Sequence, residues 1–224
     1  MAVSKSVLAT SVGVGLATGL YGISFGALSS AAGLDFWQTM VLSLLMFSGG
    51  SQFAFVAVVS GGSAALAAAV TSAWLMGIRN GFYAVRMGPI LKLVGAKKLV
   101  AALVTIDEST AVSVAQDSPK EQRQGFWLTG AAVYLFWNSA TALGAVLGQA
   151  MGDPKTWGMD AAAAAAFVGL IWPRLKERQS LVVALIAVGL AVVSAPFVPA
   201  GIPVLIAGAG AVIVGIFDWF GGKK

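Results

Sequence analysis

Long stretches of this chain carry no charged side chain: Ser6 to Leu34, Phe36 to Ile78, Gln124 to Gly152, Ala161 to Pro173 and Gln179 to Phe217. All but Ala161 to Pro173 exceed the roughly 20 residues that a helix needs to cross the hydrocarbon of a bilayer. Too few polar residues remain to build a soluble surface around them. Only 10% of the residues are charged and 58% are hydrophobic, against about a quarter charged in ordinary soluble domains. The stretches lack the period-two alternation of barrel strands, so helices are the way to satisfy their backbone groups in lipid. The expected fold is an all-α, polytopic helical membrane protein with about 7–8 apolar segments. Residues 1–224 form one transmembrane domain.

The segments read as Val7 to Ala31, Phe36 to Val59, Ser63 to Tyr83, Leu99 to Ala115, Gly125 to Ala150, Met159 to Trp172, Leu181 to Val193 and Ile202 to Phe217. Lys5 and the run after it imitate a secretion signal, with Ser29 and Ala31 small enough for cleavage. The run is longer than such a signal requires and more apolar segments follow, so it reads as a retained helix. The net charge of +5 reads as Lys and Arg retained in cytoplasmic loops, with no nucleic acid as partner.

Positive charges cluster at Arg79 to Lys98, at Lys120 and Arg123, at Arg174 to Arg178 and at Lys223 and Lys224. The positive-inside rule asks for all of them on one side. Simple crossings forbid it, because one segment, Leu99 to Ala115, separates the richest cluster from Lys120. The conflict disappears if one or two segments are discontinuous or re-entrant, which is permissible where they are buried in protein or line a cavity. The candidates are the segment interrupted by FSGGSQF (Phe47 to Phe53) and the short one that carries Asp107 and Glu108.

The absence of cysteine and histidine excludes disulfides, thiolate metal sites and the usual group titrating near neutral pH. It leaves Ser48 and Ser51 with no histidine to activate them, and no cofactor or metal motif occurs, so the chain does not read as an enzyme. Proton coupling falls to a carboxylate or an indirect route. Asp107 and Glu108 interrupt an uncharged run, where carboxylates face a cavity, pair with a cation or are protonated. They read either as a structural pair with Arg79 or Arg86, or as contacts for a substrate ammonium and a proton. Arg79, Tyr83 and Arg86 share one helix face. Each arginine either receives a carboxylate or snorkels to lipid phosphates. Asn138, with Thr141 a turn away, either bonds across helices or lines a path. Gly13, Gly15, Gly19, Gly22 and Gly26 read as close helix packing, and Met151 to Asp160, with Trp157, as a capped loop with an interfacial anchor. In FSGGSQF, Gly49 and Gly50 permit an unwound turn whose backbone groups bind the charged ends of a small zwitterion. Packing explains the glycines as well, but explains Gln52 less well.

In order and spacing, YGISFGALSSAAGLDFWQTMVLSLLMFSGGSQFAFVAV, IRNGFYAVRMGP, TIDESTAV and GDPKTWGMDAAAAAAFVGLIWP resemble the AzlC family of branched-chain amino acid permeases. The resemblance implies a multi-pass transporter of the bacterial inner (plasma) membrane that exports valine, leucine, isoleucine and sometimes methionine on the proton motive force. It implies a small AzlD-family membrane subunit as partner. It aligns Phe47, Ser48, Gly49, Ser51 and Gln52 with the family's small-residue and glutamine element, Arg79 and Tyr83 with its basic and aromatic positions, and Asp107 and Glu108 with its acidic pair. Ala161 to Ala166 departs from the bulkier family pattern. The expected substrate contacts are Ser48, Gly49, Gly50, Ser51, Gln52, Arg79, Tyr83 and Asn138, with Asp107 or Glu108 coupling to protons. The alternatives are an uptake permease for small neutral solutes and a non-transporting structural subunit.

Overall fold

The computed structural model describes residues 4–60, 62–150, 168, 172, 174–198 and 202–217. The Met151 to Asp160 loop, Ala161 to Ala166 and most of the segment ending at Trp172 lie outside the described residues. Among the described residues every extended regular element is helical: α1 (Lys5–Ala31), α2 (Phe36–Leu45), α3 (Gly49–Val59), α4 (Leu66–Leu91), α5 (Lys97–Leu103), α6 (Asp107–Val114), α7 (Pro119–Ala150), α8 (Arg178–Ser194) and α9 (Ile202–Phe217). Two of these, α1 and α7, are individually long and apolar enough to cross a bilayer, rather than seven or eight. The physical reason is fragmentation: the segments expected at Phe36 to Val59 and Leu99 to Ala115 are each broken into two short helices. The 26-residue α4 carries Arg79, Asn80 and Arg86, which lower its apolarity.

Two boundaries also differ from expectation. Helix α4 continues past Tyr83 and through Pro89 to Leu91, where Lys92 closes it in the left-handed region (φ 51°). Helix α7 begins at Pro119 rather than Gly125, because Ser118 caps it. The Ser118 hydroxyl accepts from the Glu121 amide at 3.2 Å and donates to the Glu121 carboxylate at 2.9 Å. Proline at the first helical position costs no intrahelical bond.

Helices α1 and α7 run parallel along their whole length. Ser4 bonds Gln124, Ser11 accepts from Thr129 at 2.9 Å, and Ser30 donates to the Ala145 carbonyl at 3.1 Å. Gly15, Gly19, Gly22 and Gly26 form the seam. A methyl on Gly15 would lie 2.7 Å from Ala132 Cβ, and one on Gly22 would lie 2.6 Å from the Trp137 carbonyl. Close backbone approach of this kind is how helices associate where lipid supplies no hydrophobic drive.

The remaining elements sort by which end of this pair they touch. At one end, Arg123 donates to the Ile90 carbonyl at 2.8 Å and Ser113 to the Gln122 carbonyl at 2.8 Å. This groups the start of α7 with the end of α4, the end of α6 and, through Leu91, Ala101 and Phe126, the α5 region. At the opposite end a hollow lined by Leu34, Gln38, Val59 and Leu66 groups the end of α1 with the start of α2, the end of α3 and the start of α4. Thus α4 runs antiparallel to α1 and α7, while α2–α3 enters and leaves at one end and α5–α6 at the other. Each pair is a helical hairpin that enters and returns at one end of the bundle. Ten or eleven residues advance about 15–17 Å, which brings the first tip level with the middle of α7, where the Tyr134 hydroxyl donates to the Leu44 carbonyl at 3.3 Å.

The polarity of the molecule is inverted relative to a soluble protein. Leu20, Trp37, Leu45, Phe82 and Val85 are exposed, whereas Ser11, Ser29, Thr39, Ser43, Gln52, Ser109, Thr129 and Thr141 are wholly buried. Apolar surface of this extent marks contact with lipid or protein.

Candidate functional site

The two hairpin tips, residues 46–48 and 104–106, meet at one cavity of about 220 Å3. Three long helices complete its wall through Thr18 of α1, Arg79 of α4 and Trp137 of α7, each near the middle of its helix. Ionisable groups inside a helical membrane protein line a cavity or pair with one another.

At the first tip, α2 ends at Leu45 and the chain passes Met46 to reach Ser48, which is extended (φ −155°), before α3 starts. Ser48 makes no side-chain cap. It faces the cavity beside Gly49 and Gly50. The first amide groups of a helix have no partner within it and carry partial positive charge. Next to them lies Arg79: a methyl on Gly50 would stand 2.7 Å from Arg79 Nη2. The glycine is what lets the guanidinium approach this backbone.

At the second tip, Asp107 and Glu108 form the first turn of α6. Arg79 Nη1 lies 3.2 Å from Asp107 Oδ2, both side chains remaining about one-third exposed (33% and 37%). Arg79 Nε, Asp107 Oδ1 and Asn80 Oδ1 are buried with no hydrogen-bond partner. Glu108 faces the cavity with Thr18 opposite it. One guanidinium therefore stands between two carboxylates and the open start of a helix. Phe47, Phe53, Ile106, Val133 and Trp137 supply apolar wall. Behind them Phe25 stacks on Trp137 (centroids 6.2 Å) and meets Phe53 edge to face (5.8 Å), which keeps the wall rigid.

The cavity gathers Ser48, Gly49, Gly50, Arg79, Asp107 and Glu108 from the expected set. It does not gather the rest. Ser51 lines a neighbouring hollow of about 600 Å3 that shares Phe47, Ser48 and Asn80 with the first. Gln52 is fully buried behind the tip, its amide engaged by Met46, Ser43 and Trp137. Asn138 bonds the Tyr134 carbonyl of its own helix at 2.7 Å. Tyr83 lies a turn beyond Arg79 toward the end of α4, outside the lining, and Arg86 is exposed. Of the two acids, Asp107 pairs with Arg79.

Thr18, Asn80 and Trp137 also line the cavity, outside the set expected from the sequence. Thr18 is hidden in a run of small residues. Trp137 sits in mid-segment rather than at the interface where tryptophan usually anchors, and that position was a usable signal. Among the described residues no cluster of acids or histidines suits a metal ion.

No curated protein and no solved structure matches the chain. A family model described as AzlC protein matches residues 13–151, which takes in both hairpins, Arg79 and the acidic pair. The chain belongs to the AzlC family.

Proposed function

We propose that the chain is the large subunit of a secondary transporter that exports branched-chain amino acids across the bacterial inner membrane. Family membership and the apolar helical architecture support a transport role in general. One observation carries the amino-acid reading: the cavity sets a guanidinium and open helix-start amides against a carboxylate pair, with apolar wall between. A zwitterion with an aliphatic side chain satisfies all three surfaces. Its carboxylate meets Arg79 and the Ser48 to Gly50 backbone, and its ammonium meets Asp107 and Glu108. A cavity near 220 Å3 is somewhat roomier than the ~150 Å3 that holds a benzene ring. It suits valine, leucine and isoleucine, with methionine at the margin. One methylene is worth only about 1–3 kcal/mol, so these substrates overlap.

Two carboxylates face one guanidinium, so a proton on the pair and a substrate ammonium beside it are alternative ways to relieve their repulsion, while the substrate's own carboxylate is met by Arg79 and the helix-start amides. The two cations are then alternative occupants of the same pair. Their competition yields exchange, and exchange against an inward proton gradient drives export. Lys5, Lys92, Lys97, Lys98, Lys120 and Arg123 lie at or beside the α7-start end, so the positive-inside rule assigns that end to the cytoplasm. The small AzlD-family subunit is the expected partner. Its absence from a reconstitution separates a transporter needing help from a scaffold that never transports.

The test is valine flux in proteoliposomes, with and without the partner, under an imposed proton gradient. Valine moves against the gradient. Asp107→Asn and Arg79→Lys each cut flux at least tenfold, since a point charge does not replace a bidentate fork and about 1.4 kcal/mol is a factor of ten. Flux unchanged in both variants overturns the site. Flux that ignores the proton gradient overturns the coupling, and flux running with it favours the uptake alternative.

A further inference from the structure

Each tip that frames the cavity is closed by one wholly buried polar side chain that does not reach the cavity. In the first hairpin this is Gln52, in the second Ser109, both 0% exposed. The end of α2 leaves carbonyls without intrahelical partners. Gln52 Nε2 donates to the Met46 carbonyl at 2.9 Å and lies 3.4 Å from that of Ser43. Its Oε1 accepts from the Trp137 indole at 2.9 Å. The outer tip of the same indole's six-membered ring abuts the first residue of α3, since a methyl on Gly49 would stand 3.0 Å from Trp137 Cη2. Gln52 thus ties the end of one half-helix, the start of the next and the cavity floor. In the second hairpin the Ser109 hydroxyl accepts from the Ile106 amide at 3.1 Å and donates to the Val104 carbonyl at 2.6 Å. It pins the end of α5 to the start of α6, where Asp107 and Glu108 project.

We propose that Gln52 and Ser109 are positioning residues for opposite ends of the substrate. Gln52 aligns the α3 start against Arg79 and so sets the carboxylate subsite. Ser109 aligns the α6 start and so sets the ammonium subsite. Neither touches the substrate. The proposal rests on the zwitterion reading of the cavity and assigns a division of labour within it. Two side chains on separate hairpins, entering from opposite ends, govern separable halves of recognition.

The experiment is competition against labelled valine counterflow in proteoliposomes, using unlabelled valine, valinamide, which lacks the carboxylate, and 2-hydroxyisovalerate, which lacks the ammonium. Wild-type protein prefers valine to each analogue by about tenfold or more, the worth of a hydrogen bond to a charged group. If it prefers neither way, the zwitterion reading itself fails. Gln52→Met keeps the volume and removes the donors; its preference for valine over valinamide falls to within about twofold, while the preference over the hydroxy acid stays. Ser109→Ala does the reverse, and Ser109→Thr, which retains the hydroxyl, restores the wild-type pattern. Trp137→Phe releases one bond of the Gln52 latch and gives the weaker form of the Gln52→Met result, covering the case in which that variant does not fold. Preferences that fall together in every folded variant, or do not move at all, overturn the proposal, because a merely structural role cannot split them.

Discussion

A methyl group at Gly50 would meet Arg79 Nη2 at 2.7 Å and the Met76 methyl at 3.2 Å. Both are ends of flexible side chains, so the clash resolves by moving the guanidinium rather than the backbone. Gly50→Ala is therefore expected to insert and fold like wild type while weakening valine binding about tenfold, the cost of one charge-assisted hydrogen bond. Thermal unfolding in detergent and counterflow, measured on one preparation, check the two halves of that statement. Unchanged affinity would show that Arg79 is not used from this position. At the level of single residues the sequence announced the anomaly but not its direction. Gln52 stood out as a polar group in an apolar run, as did Asn138. Which way such a side chain points depends on the partner it finds: the distant Trp137 for Gln52, and a carbonyl one turn back in its own helix for Asn138. The acids were legible because burial of charge is costly wherever it occurs.

Among the elements, the breaks were legible and the ends were not. Charge parity offered discontinuity of the segments around residues 47–53 and 107–108 as one way out of the conflict, and each of those segments is broken into two short helices. Helix ends depend on local chemistry that charge patterning hides. Lys120, Glu121 and Arg123 read as loop, yet Ser118 and Pro119 start a helix that carries them. The α1–α7 seam follows from glycine spacing in α1 but could not be paired from sequence. Its partner is distant, and nothing in α1 names Gly144 and Gly148 as the facing glycines. At this seam the obstacle to a larger side chain is backbone. A methyl on Gly26 would run into the Thr141 carbonyl and would lie 2.6 Å from the Ala145 amide nitrogen, so relief requires the helices to part. Gly26→Val is expected to lower stability by about 1–3 kcal/mol, the usual cost of overpacking, read as a fall in Tm in detergent. The same change at Gly13, which has nothing within 4 Å, should leave Tm within about a degree, as surface substitutions usually do.

For the whole molecule, a long helix followed by a re-entrant hairpin occurs twice in opposite sense: α1 with α2–α3, then α4 with α5–α6. Repeats of inverted topology place one broken element toward each side of the membrane with the site between them. Arg79 is the side chain that meets both hairpins, beside Gly50 of the first and 3.2 Å from Asp107 of the second. With three long helices passing between the ends and two hairpins turning back, Lys98 and Lys120 lie at the same end of the bundle, the arrangement that the charge pattern asks for. Because the chain contains no cysteine, each introduced thiol is the sole target of a membrane-impermeant maleimide. Leu34→Cys and Ser60→Cys, at the mouth of the first hairpin, should label from one face of oriented vesicles. Lys98→Cys and Lys120→Cys should label from the other, the cytoplasmic face if positive charge is retained inside. Simple crossings give a different pattern: Leu34 and Ser60 would label from opposite faces, and so would Lys98 and Lys120. Either of those splits would refute the paired hairpins, and with them the meeting of two tips on which recognition of both ends of the substrate depends.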